Sequence, residues 1–174
     1  GHAGVRSADF PHALGYLYLM RGDVPRAKAA YQESMRLGPV AEDVVGTGSF
    51  ASAYHLGLLC EAEQDVPAAL GRYLEALRIK PDYAVALSRC IDLTVEYQAA
   101  LPREVWQTVN QQVFTRLFLD RLAAAVYEGR SDDAALLLRA AGALAPALLQ
   151  ACRQLLEDTL KQHPGEADTD GPGE

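Results

Sequence analysis

The sequence predicts an all-α fold, a short superhelical stack of helical hairpins closed by a terminal helix, on three observations. Residues 13–39 laid on residues 55–81, a shift of 42, agree at 11 of 27 positions, where ordinary composition gives about two by chance. Apolar residues recur at helical spacing through most of the chain, and no segment sustains the alternation of a strand. Gly, Asp and Pro punctuate those helical runs at corresponding places.

The matched positions are Leu14/Leu56, Gly15/Gly57, Leu17/Leu59, Asp23/Asp65, Val24/Val66, Pro25/Pro67, Ala27/Ala69, Tyr31/Tyr73, Glu33/Glu75, Arg36/Arg78 and Pro39/Pro81. Each unit reads as two helices joined by a tight turn. Leu14, Leu17, Tyr18 and Arg21 fall one helical turn after another, and Gly22 can adopt the left-handed conformation that ends a helix. Asp23 is placed to cap the next helix, and Pro25 sits in its first turn, where a missing N–H does no harm. Ala27, Ala30, Tyr31, Ser34 and Leu37 form one stripe of that second helix, which Pro39 stops. Gln64-Asp65-Val66-Pro67 repeats the turn, with Gln64 lacking the freedom of Gly22. The small residues Gly15, Ala27, Gly57 and Ala69 allow close approach of helices, with Tyr31 and Tyr73 filling the space beside them. A hairpin of this kind cannot hide its apolar stripe alone, so hairpins must stack.

Residues 115–146 hold a worn third copy, in which Gly129, Ala134, Leu144 and Pro146 stand where Gly22, Ala27, Leu37 and Pro39 stood. Leu122 and Leu138 replace its expected glycine and aromatic residue. Between the copies, residues 40–49 lengthen the first link, and residues 82–114 carry an irregular helical pair. Asp82 is placed to cap a helix running to about Leu101, where Pro102 breaks it. Trp106, Val109, Val113, Leu117 and Leu122 continue an apolar face, and Ser131 or Asp132 can cap the helix that follows Gly129. A capping helix over 147–162 sets Leu148, Leu149, Cys152, Leu155, Leu156 and Leu160 on one face. The repeat domain thus spans 1–162. Residues 163–174 read as an acidic flexible tail, and Gly1-His2 as a cloning remnant on a fragment of a larger protein.

Composition narrows the function. Sixteen Lys and Arg against 23 Asp and Glu give a net charge of −7, which argues against a nucleic-acid surface. The longest unbroken apolar stretch, Ala140 to Leu149, is ten residues, too short to span a bilayer. Cys60, Cys90 and Cys152 lie far apart on apolar stripes and read as buried structural thiols. No phosphate loop, GxGxxG or HExxH occurs, and the four histidines form no metal-ligand spacing. Neither a cofactor nor a metal is expected. The acidic neighbours read as a solvated loop (Glu42-Asp43), a helix terminus (Glu61 and Glu63) and a helix start favoured by the dipole (Asp132-Asp133).

The pattern Leu-Gly, Gly-Asp, Ala, Tyr and Pro over residues 8–39 and 50–81, and more loosely over 115–146, resembles the tetratricopeptide repeat (TPR). The resemblance implies that the first helix of each pair lines a concave groove for a peptide or partner helix. It places His12, Tyr16, Leu19 and Met20 there, with Tyr54, Leu58 and Glu61 from the second repeat. Asp92 and Glu96, four apart on one helical face, extend the groove. Packing against the chain's own neighbours is the competing reading for all nine. Members that clamp carboxylates use Lys and Asn at these positions, so His12 and Tyr16 imply another specificity. The stretch 46–87 is also similar to the repeat region that follows the catalytic domain in some bacterial family 2 glycosyltransferases.

The expected function is therefore a non-catalytic protein-interaction scaffold. Two alternatives stand beside it: an accessory domain of such a glycosyltransferase, and a homo-oligomerisation module forming a dimer through a Trp106/Phe114/Phe118 surface. Unpaired thiols and no signal-like segment point to the cytoplasm.

Overall fold

The first two hairpins pair α1 (Asp9–Met20) with α2 (Val24–Leu37) and α3 (Phe50–Ala62) with α4 (Val66–Ile79), in a computed structural model that describes residues 6–164. A 3₁₀ turn, Gly38–Ala41, follows α2. Then come α5 (Ala84–Glu96), a short α6 (Glu104–Thr108), α7 (Gln111–Tyr127), α8 (Ser131–Leu144) and α9 (Pro146–Gln162). The described residues are all-α, with no strand, and no helix among them is long and apolar enough to cross a membrane. The expected cloning remnant and residues 165–174 of the expected tail lie outside the described residues.

The turns follow from their residues. Gly22 takes φ +73°, and the Asp23 N–H returns to the Tyr18 carbonyl at 2.9 Å, a Schellman closure that satisfies the end of α1. Asp23 then accepts the Arg26 N–H at 3.2 Å as the N-cap of α2. Gln64 is forced into the same conformation at φ +60°, with Asp65 capping α4 through the Ala68 N–H at 3.1 Å. Gly129 repeats the closure. The third cap differs from expectation: Arg130 is the N-cap residue, no side chain caps α8, and Ser131 and Asp132 are already helical. The repeat register puts Arg130 where Asp23 stood, and it pairs instead with Glu128 and Asp133.

Packing explains the glycine–tyrosine pairs. A β-carbon on Gly15 would lie 2.9 Å from the Tyr31 ring, and one on Gly57 would collide with Tyr73. Each ring occupies the space that a side chain on the facing helix would need, and Ala27 and Ala69 are fully buried beside them. In the third hairpin the bulk is shared, with fully buried Leu122 and half-buried Leu138. Leu56 and Leu59 of α3 close over Ala27 and Tyr31 of α2. Ala53 and Cys60 of α3 join Ala69 and Tyr73 in the core that continues to α9.

The middle of the chain departs from expectation. Asp82 does not cap α5; Tyr83 precedes it without a side-chain cap. The helix ends at Glu96 rather than near Leu101, because Gln98 turns left-handed at φ +52° and the Ala99 N–H reaches back to Leu93. Residues 82–114 thus hold a full helix, α5, the five-residue α6 and the first turn of α7, so the second member of the expected irregular pair is short. With no long partner beside it, α5 is covered by α7 and α8. Phe114 and Phe118 are fully buried there, which removes them from any self-association surface. Leu160 of α9 also differs, being 61% exposed rather than part of the buried stripe.

The 40–49 link is solvated only in part, with Asp43 exposed and Glu42 half-buried. Gly46, Thr47 and Gly48 are buried. The Glu42 carboxylate accepts the Gly46 and Gly48 N–H groups, both at 2.9 Å. Asp9 of α1 accepts the Asp43 N–H and the Thr47 hydroxyl, both at 2.6 Å. Those bonds, Thr47 first, push the Asp9 carboxyl down to about 2.

Candidate functional site

Three contacts set the first helices of successive units side by side. His12 of α1 meets Ser52 and His55 of α3; Glu61 of α3 meets Arg89 of α5; Asp92 of α5 meets Arg121 of α7. The nine candidate groove residues lie along this row, and the structure divides them into three groups.

The first group is aromatic. His12 Nδ1 lies 2.8 Å from Ser52 Oγ, whose own proton goes to the Thr47 carbonyl at 2.6 Å. His12 Nδ1 must therefore carry the hydrogen. His55 Nδ1 likewise donates to the Ala51 carbonyl at 2.7 Å, leaving Nε2 as the acceptor on both rings. The two rings meet edge to face at 5.1 Å, and Tyr31 stacks on His55 at 4.9 Å. Burial pushes both histidines below the ordinary imidazole range, and His55 lowers His12 further. Half-buried Tyr54 bridges His55, Tyr73 and Tyr83. Leu19 and Leu58 are also half-buried, packed on the two cores.

The second group is acidic and already paired. Glu61 is only 9% exposed. It accepts the Tyr73 hydroxyl and a two-pronged contact from Arg89, whose Nε lies 3.1 Å from Oε2. Arg89 also reaches Asp92 at 3.3 Å and Glu96 at 3.0 Å, and Arg121 holds Asp92 at 3.2 Å. Desolvation nonetheless raises the Asp92 carboxyl above its ordinary value, outweighing both arginines. Sequence reasoning missed Arg89 as the hub. Its spacing of three and seven residues before Asp92 and Glu96 was the available signal.

The third group is open. Tyr16 is 50% and Met20 69% exposed, on the side of α1 continuous with His12.

The two regular repeats differ at one buried point. Tyr73 donates to Glu61, but the residue 42 positions before Glu61 is Leu19. The Tyr31 hydroxyl is accordingly buried with no hydrogen-bond partner among the described residues.

No group of three His, Cys, Asp or Glu among the described residues is placed to hold a metal. The three cysteines are buried, and burial pushes the thiols up, Cys90 to about 12 and Cys152 to about 11. Comparison of the chain with protein-family models finds no match, and comparison with curated proteins finds none either.

Proposed function

We propose that the chain is a non-catalytic scaffold of the tetratricopeptide type, binding a peptide or partner helix along its first helices. The observation that carries this reading is the exposure of Tyr16 and Met20 beside a floor fixed by the His12–Ser52 and Tyr54–Tyr83 contacts. An aromatic and a flexible thioether on a pre-organised surface suit a binding hot spot. Glu61, Asp92 and Glu96 are engaged by Arg89 and Arg121, so the groove favours an apolar or aromatic ligand over a basic one. Three unpaired thiols are in keeping with a reducing compartment such as the cytoplasm.

Panning a random peptide library against the chain tests the reading. Selected peptides are expected to be rich in apolar residues and to lose about five-fold or more in affinity on Tyr16→Ala or Met20→Ala. Selected peptides that bind both variants as well as the parent would move the site elsewhere.

A further inference from the structure

The repeat itself defines a second surface, on a different side of α1. Within α3, Leu56 and Leu59 are the residues that close over the small-and-aromatic stripe of the preceding helix, Ala27 and Tyr31 of α2, and both are fully buried in doing so. Forty-two residues earlier the same two residue types recur as Leu14 and Leu17. They are not sealed as Leu56 and Leu59 are: Leu14 is half-buried, Leu17 is 53% exposed, and Phe10, one turn before Leu14, is more exposed still. Phe10 and Leu14, with Ala30 and Leu37 of α2, line a hollow of about 520 Å³.

Charge extends the correspondence. Lys28, next to Ala27 on α2, pairs with Glu63 at the end of α3 at 3.2 Å. The equivalent of Glu63 on α1 is Arg21, which has no carboxylate within 4.0 Å among the described residues. A helix seated on α1 as α2 is seated against α3 would pair with Arg21 through an acidic residue at the position of Lys28.

We propose that this face of α1 seats one helix of a partner protein, of the α2 type: a small residue, an acidic residue directly after it, and an aromatic residue four positions after the small one. A second copy of the chain does not supply that stripe, because those of α2, α4 and α8 are covered by α3, α5 and α9. Tyr16 lies about 100° around the helix from Leu17, so this surface is independent of the proposed groove.

The test uses the whole chain and two helix-stapled, fluorescently labelled peptides of residues 23–39, one unchanged and one carrying Lys28→Glu. The Lys28→Glu peptide is expected to bind about two- to five-fold tighter than the unchanged one, with the order reversed on Arg21→Glu protein. Both are expected to be lost on Leu17→Asp and retained on Tyr16→Ala. Leu17→Asp alters an exposed side chain, and Phe10→Asp is the second variant should the first unfold. The proposal is overturned if neither peptide binds at millimolar concentration, or if Leu17→Asp and Phe10→Asp leave binding unchanged. A dimer in light scattering that Leu17→Asp abolishes would assign the face to a second copy and overturn it equally.

Discussion

Removing one oxygen atom from each of two repeat tyrosines should move stability in opposite directions. The Tyr73 hydroxyl donates to the Glu61 carboxylate, which also pairs with Arg89. Tyr73→Phe deletes a hydrogen bond to a charged group and costs about 1.5–3 kcal/mol. Tyr31 is equally buried, but Leu19 stands where Glu61 would be, and its hydroxyl has no partner among the described residues. An unmade buried hydrogen bond costs about 1–3 kcal/mol. Tyr31→Phe removes that cost, offset by a few tenths of a kcal/mol, roughly, for the space the oxygen vacates. The two variants should therefore differ by about 2–6 kcal/mol, a separation of about 1–3 M in urea midpoint at an m-value of about 2 kcal/mol/M. Urea unfolding followed by helical circular dichroism measures both. Equal losses in the two variants, or a larger loss for Tyr31→Phe, would refute the account of the unpaired hydroxyl. A constructive check is available, since His55 lies 34 residues before Arg89, the position that completes the second repeat's triad. Leu19→Glu with His55→Arg should exceed the sum of its single variants by about 0.5–3 kcal/mol in a double-mutant cycle.

Gln64 is an exposed residue at φ +60° in a turn whose counterparts are Gly22 and Gly129. Gln64→Gly should stabilise the fold by about 0.5–1 kcal/mol, read as a higher urea midpoint, because the left-handed conformation costs an L-residue more than glycine. The His12 and His55 pKa values lie below 6.5 in the folded chain. Their contribution is complete above that pH and is lost as pH falls below it, since the unfolded chain takes up protons first. Asp9 and Glu42 face His12 and oppose its shift, as the Ala51 carbonyl opposes that of His55, and His12→Gln and His55→Gln should each flatten the fall in urea midpoint below pH 6.5. Finally, a thiol reagent such as Ellman's should label none of Cys60, Cys90 and Cys152 in the native chain and all three in urea, because each is buried with a raised pKa.

The legible part of this protein was local. Helical periodicity, the Asp-Val-Pro turns and the reciprocal sizes of Gly15 with Tyr31 and Gly57 with Tyr73 are set by residues a few positions apart or by the repeat itself. They sufficed for an all-α hairpin stack, and the repeat register alone distinguishes Leu19 from Glu61. The end of α5 was not legible, because Gln98 carries no intrinsic preference for the left-handed turn it makes. Nor was the order of the 40–49 link, which rests on Asp9, some 34 residues away in sequence from Asp43.

Sequence by itself determined which faces are greasy and where the two regular hairpins turn back, since those are properties of a side chain and its near neighbours. Tertiary structure alone decided which acidic residues are spent: Glu61 and Arg89 are 28 positions apart, and only the stacking of α3 on α5 brings a guanidinium to a buried carboxylate. Tyr16, Met20 and Leu17 of α1 are open because no helix among the described residues lies over them, and exposure is fixed by which helix lies opposite.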